Sequence, residues 1–250
     1  MSAQGATALI QCQVMAVTPL KILTLLPWPD WLALAGFFVA WIGYAVFARR
    51  RSVSSMSLLA TTNHYRHLWM VQTTWRDVRV VDGVVLQNLS TSPSFFASTT
   101  ILIIGGLLAL LGTSERANAL VQEIPFAART SAAVFDFKLL VLTGVFVYAF
   151  FRFTWSLRQY TFGALMVAAA PDFRVFERGE ASREEFADRA GRVLGLAAES
   201  FNDGLRAYYM SFAVIGWFFS PLVFAVGSAG VVYVLFQREF QSEVLAVLKS

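Results

Sequence analysis

The stretch Phe135–Tyr160 reads FDFKLLVLTGVFVYAFFRFTWSLRQY. It is long enough to cross a bilayer, which takes about 20 apolar residues of helix. Yet it carries Lys138 near one end and Arg152 near the other. The two are separated by about 21 Å at 1.5 Å per residue and by nearly four full turns, so they share one helix face. Gln159 extends this face and Trp155 adjoins it. A charge at mid-bilayer costs about 2.5–3.5 kcal/mol on insertion scales. Two arrangements avoid that cost. The side chains snorkel to the headgroups, or they face a bundle interior, pair with carboxylates or line a path. Asp136 lies on the wrong face to pair with Lys138, and no partner for Lys138 is evident in the sequence.

The rest of the chain supports a membrane setting. Of 250 residues, 57% are hydrophobic and 14% charged, with 23 phenylalanines, against about 25% charged in a soluble domain. The formal charge is +4. Cys12 is the single cysteine, so no intrachain disulfide or cysteine metal cluster can form. Residues 1–13 lack the basic n-region of a secretory signal. Met15 offers a second start, and Val14–Leu26, broken by Pro19 and Lys21, reads as an interfacial segment.

Four spans are predicted, at residues 31–47, 95–112, 133–155 and 208–235. Pro29 and Asp30 suit the start of the first helix, and Trp28 and Trp31 suit an interfacial belt. Ser92-Pro93-Ser94 is read as resetting the chain before the second span. Gly105 and Gly106 in that span permit close approach of a neighbouring backbone. Ser182 and Glu185 form a capping box. An amphipathic stripe from Phe186 through Ala190, Val193, Ala197 and Phe201 to Leu205 then runs without a break into the fourth span. Pro221 should kink that span. Gly216 and Ser220, then Ala225 and Ala229, are small-residue pairs favouring tight packing.

The loops 48–94 and 156–207 hold thirteen basic residues, whereas 113–132 holds Arg116 and Arg129 alone. By the positive-inside rule both large loops are cytoplasmic, and with four spans both termini are outside. The reading is an all-α integral membrane protein: one domain, residues 1–250, with four transmembrane helices and amphipathic cytoplasmic helices.

The polar groups nominate candidate sites. Asn202, Arg206 and Tyr209 share a face at the inner end of the fourth span. With Lys138, Arg152, Trp155, Arg158 and Gln159 they make a polar face whose inner end is a basic, amide-bearing layer. Such a layer attracts anionic headgroups or forms an anion-selective mouth; the bland alternative is positive-inside anchoring. Arg66, Trp69 and Asp82 in the first loop are weaker candidates, Asp82 as a helix cap and Asn88 as a helix end. His64 and His67 form an H-x-x-H with no carboxylate at a matching offset, so they read as surface residues and no metal is assigned. The chain has no H-E-x-x-H, G-x-S-x-G, P-loop or G-x-G-x-x-G. No catalytic residue and no cofactor is assigned. The predicted spans contain no Asp or Glu apart from Asp136, which argues against proton coupling.

Four blocks carry a family resemblance: FFASTTILIIGGLLALLG (95–112), FKLLVLTGVFVYAFFRFTWSLRQY (137–160), FNDGLRAYYMSFAVIGWFFSP (201–221) and FQREFQS (236–242). YRHLWM (65–70) and the stretch 82–88 add weaker similarity. Together they resemble a bacterial family of small polytopic inner-membrane proteins, with plant relatives, catalogued as a domain of unknown function. The resemblance covers about residues 30–245 and implies a four-helix membrane architecture. It supplies no activity. The residues matching its polar positions are Arg66, Trp69, Lys138, Trp155, Arg158, Gln159, Asn202 and Arg206.

The favoured function is an anion or anionic-headgroup pathway or binding protein of the bacterial inner membrane. One alternative is a non-enzymatic scaffold or assembly factor of a larger membrane complex; another is an intramembrane lipid-acting enzyme. The expected partners are membrane lipids and either further copies of the chain or other membrane subunits. Nucleic acid is not expected, because topology explains the basic residues.

Overall fold

The computed structural model describes residues 26–52, 57–113, 117–120, 123 and 131–249. The proposed second start at Met15, the interfacial segment as far as residue 25 and most of the 113–131 connection lie outside them. Among the described residues, besides the helical residues 117–120, eight helices have defined bounds: α1 Trp28–Ser52, α2 Leu58–Thr73, α3 Val80–Gly112, α4 Ala132–Ala168, α5 Phe173–Glu177, α6 Arg183–Gly216, α7 Pro221–Phe240 and α8 Glu243–Lys249. The same residues contain no strand.

Four of the described stretches are long and apolar enough to cross a membrane: Trp28–Arg51, Val80–Gly112, Ala132–Ala168 and Pro221–Lys249. The chain is therefore an all-α membrane protein with four such helical stretches. Local chemistry explains most boundaries. Ser131 accepts from the Val134 N–H and starts α4. Ser182 accepts from the Glu185 N–H and starts α6, as the capping box predicts. The α3 boundary differs from expectation. Pro93 lies buried inside one 33-residue helix, so neither Asn88 nor Ser92–Ser94 ends it. A proline removes one N–H from the ladder, and packing against α4 carries the helix through.

The bundle is built around the antiparallel pair α4 and α6. Gly163 meets Leu194 at one end of the pair, and Lys138 meets Trp217 at the other. At about 55 Å, α4 exceeds the roughly 30 Å of hydrocarbon it must cross. The chain accordingly has two main cores. One gathers Phe37, Leu139, Phe146, Phe153, Met210 and Trp217. The other gathers Met70, Leu86, Tyr160, Phe176, Phe186 and Leu194, where α2, α5 and the first half of α6 cover the protruding end of α4.

The stretch 208–235 is not one kinked helix. α6 ends at Gly216, residues 217–219 turn, and Ser220 caps a new helix with Pro221 in its first turn. Proline suits that position because its missing N–H would have no partner there anyway. α7 then runs back beside α1. Phe224 packs on Phe37, and Phe240 edge-on against Phe47. This corrects the expected placement of the C-terminus. Leu59 N–H donates to Glu239 at 3.2 Å, and Tyr65 hydroxyl donates to the Leu248 carbonyl at 3.2 Å. The C-terminal helix thus sits on α2, at the 48–94 loop, and not across the bundle from it. In a Cys12→Ser background, single cysteines at the exposed Asp77 and at Glu243 are expected to react with impermeant maleimide from the same side of the membrane. Labelling from opposite sides would contradict the reversal at 217–220.

Candidate functional site

Two charged centres lie inside the bundle, one towards each end of the α4–α6 pair. The first explains Lys138, which is 1% exposed. Its Nζ donates to the Trp217 carbonyl at 2.9 Å and lies 3.8 Å from Asp30 Oδ1. It also lies 5.3 Å from the Trp217 ring centroid, a cation–π contact. Trp217 Nε1 donates to the same Asp30 oxygen at 2.6 Å. The last carbonyls of a helix have no intrahelical partner. α6 ends inside the bundle, and Lys138 supplies a donor and a positive charge to that terminus. Asp30, expected as a cap for α1, is the buried counter-charge, at 7% exposure.

The second centre surrounds Asp203, which is 3% exposed. Arg49 and Arg152 donate to its Oδ2 at 2.6 and 2.5 Å, and Arg206 donates to Oδ1 at 3.0 Å. Arg49 Nε also pairs with Glu199 at 3.1 Å. Ser200 hydroxyl donates to Gln159 Oε1 at 2.7 Å and lies 3.5 Å from Arg152. Arg206 sits over the Tyr44 ring, 5.6 Å from its centroid. Arg152 Nε is buried without a hydrogen-bond partner among the described residues. Beside this centre, between α1 and α4, lies a cavity of about 560 Å³ bordered by Arg49, Asp203 and Arg206 and walled by Trp41, Val46 and Val145.

The structure sorts the sequence candidates. Lys138, Arg152, Gln159 and Arg206 face inward, as their shared faces suggest. Trp155 and Arg158 are exposed, and Arg158 rests on the Phe162 ring. Tyr209 accepts from Arg238 of α7 and packs with Tyr44, the ring beneath Arg206. Asn202 is half-buried and makes none of that group's hydrogen bonds. In the first loop, Trp69 Nε1 donates to Asp82 Oδ1 at 2.7 Å, joined by Thr73 and Arg76. Asp82 is therefore the buried pin of the α2–α3 corner rather than a cap. Arg66 donates to Asn63 Oδ1 at 2.7 Å, and burial lowers its pKa from the ordinary arginine value, opposed by nearby Tyr160.

Two carboxylates, Asp30 and Asp203, escaped sequence reasoning. Asp203 fell in a stretch assigned to a loop. A legible signal was there: Ala197, Ser200, Gly204, Ala207 and Ser211 recur at helical spacing, the mark of a helix hemmed in on that face. The histidines also differ from expectation. His64 is exposed, but His67 meets Glu184 at 3.1 Å and Asp188 at 3.2 Å, both from α6. These three could together hold a metal ion. Each histidine nitrogen already faces a different, exposed carboxylate, an arrangement that an imidazolium satisfies equally well.

The fold and its interior ion pairs define a polytopic α-helical membrane protein with charged centres built on a central helix pair. More particularly, the chain belongs to the family described as "Protein of unknown function, DUF599", whose model matches residues 32–244. No curated protein and no solved structure matches it.

Proposed function

We propose that the protein binds a small anionic group, a lipid headgroup or a free anion, at the arginine cluster around Asp203. The proposed setting is the cytoplasmic face of a bacterial inner membrane. The observation that carries this reading is the convergence of Arg49, Arg152 and Arg206 on one buried carboxylate beside a cavity. Three guanidiniums against Asp203 and Glu199 leave one positive charge in excess. Guanidinium forks match the paired oxygens of phosphate and carboxylate. Binding is favoured over conduction, because the opposite end of the central pair is filled by Lys138, Trp217 and Asp30.

The test is equilibrium binding of inorganic phosphate and of a short-chain phosphatidic acid to the purified full chain. Arg152→Ala is expected to weaken binding about tenfold, which is about 1.4 kcal/mol. Asp203→Asn removes the internal competitor for the arginines and is expected to strengthen binding several-fold. Absence of binding by the wild type, or weakening by both variants alike, would reject the reading.

The scaffold reading keeps one supporting observation. Ile101, Leu102 and Leu108 of α3 are exposed, and a Cβ at Gly105 or Gly106 would meet nothing. The glycine face therefore has room for a helix from outside the chain. Cysteine cross-linking at Leu102 checks it: a discrete adduct supports a partner helix, and none supports bare lipid contact.

A further inference from the structure

We infer that the occupant of the cavity is one anionic phospholipid, its phosphate on the arginine cluster and an acyl chain in the groove between α1 and α4. This rests on the anion-binding reading above and names its ligand. The groove exists because α1 and α4 touch at isolated side-chain contacts, the Lys138–Asp30 pair and two aromatic pairs, rather than along their length. Trp31 meets Phe137 at 6.0 Å, and Trp41 meets Tyr148 at 5.5 Å. Beyond these contacts the walls are apolar: Phe38, Ile42 and Val46 from α1, and Val141 and Val145 from α4. Ile42 is 60% exposed and Val46 44%, so the groove opens sideways, where lipid would enter.

Length and charge select the occupant. From Phe38 to Arg49 the groove runs about 16 Å along α1 at 1.5 Å per residue. That matches one leaflet of a bilayer whose hydrocarbon core is about 30 Å thick. The charged groups border the groove at one end only, with Arg49 and Arg206 bordering the cavity and Arg152 reaching the same carboxylate. A ligand apolar over one leaflet and anionic at its end complements this surface throughout. A free phosphate would fill the polar end alone and leave the walls bare. A zwitterionic lipid would bring its own cation to an arginine cluster. The volume, about 560 Å³, falls within the range of roughly 300–1,000 Å³ of small-molecule sites and accommodates part of one lipid rather than several.

Gly144 offers a clean probe. It faces outward into the groove, and a Cβ built there meets nothing within 4 Å. Gly144→Phe should therefore fill the groove without disturbing the helix pair. The experiment reconstitutes full-length protein into nanodiscs of phosphatidylcholine with phosphatidylglycerol, extracts it gently and counts retained lipids by native mass spectrometry. One phosphatidylglycerol per chain is expected on the wild type. Gly144→Phe should lose it at least tenfold while keeping wild-type helicity and melting temperature. A second arm titrates wild-type protein with inorganic phosphate. Phosphate binding without phosphatidylglycerol retention overturns the lipid inference and leaves the anion reading standing. Failure of both ligands overturns both. Equal retention of phosphatidylcholine, or retention unchanged by Gly144→Phe, marks the groove as ordinary lipid-facing surface and overturns the inference.

Discussion

Replacing Lys138 by methionine is expected to destabilise the bundle by about 3–5 kcal/mol, the usual result of stripping one partner from a buried ion pair. Methionine fills comparable space, so the loss is chemical rather than volumetric. The Trp217 carbonyl loses its 2.9 Å donor, and Asp30 keeps its bond from Trp217 Nε1 but loses its counter-charge. Both groups are then left polar in an apolar interior, where an unsatisfied group costs most. Lys138→Met combined with Asp30→Asn should recover much of the loss, since an asparagine oxygen still accepts from Trp217 Nε1 without carrying charge. Denaturation midpoints of the four proteins in one detergent measure this, with a coupling of at least about 1 kcal/mol expected. A strictly additive cycle would mean that Lys138 serves the α6 terminus alone and Asp30 not at all.

That experiment bears on what the sequence could convey. The spacing of Lys138, Arg152 and Gln159 on one face was legible, and all three side chains turn inward. Their partners were not, for one physical reason. A reading by hydropathy treats a span as a continuous apolar run, and α6 is not one. Glu199, Asn202, Asp203 and Arg206 make its middle read as an amphipathic helix of the cytoplasmic loop rather than as part of a span. The helix nevertheless passes through the bundle, because α3, α4 and α7 shield it and arginines neutralise it. Once α6 is taken as an inner helix, the break before Pro221 follows, and so does the move of the C-terminus to the α2 end. Asp30 was hidden differently. Its position two residues into a helix suits a local first-turn role, and only the turn at 217–219 brings a tryptophan and a lysine to it from far along the chain.

The two charged centres divide their work by position. Lys138 and Asp30 are buried and terminate α6, so their role is to hold the turn at 217–219. The Asp203 group borders a cavity, shares its carboxylate among three arginines and leaves one donor unsatisfied. Burial as the terminus of α6 marks the first centre as architecture, and burial beside a cavity marks the second as the place to look for a ligand.

The packing that sets Asp203 in place yields the second large effect, at Gly204. Gly to Ala in a helix ordinarily gains up to about 1 kcal/mol. Here the added Cβ would lie 2.5, 2.7 and 2.9 Å from atoms of the Phe153 ring. That ring cannot easily swing aside. It is fully buried, with Phe96 at 5.3 Å, Tyr208 at 5.5 Å and Phe201 at 5.7 Å between centroids. Overpacking of a filled core costs about 1–3 kcal/mol, so Gly204→Ala should lower stability and Gly204→Val should lower it further. Because Arg206 stands two residues further along α6, any displacement of α6 also draws its guanidinium away from Arg49 and Arg152, and phosphate binding should weaken with stability. Shortening the obstruction with Phe153→Leu should restore both together. Gly36→Ala, where a Cβ meets nothing, provides the reference for a methyl added without a neighbour. If Gly204→Ala unfolds at the wild-type midpoint, α6 is not pressed against α4 at this level, and the convergence of three arginines on Asp203 loses its structural support.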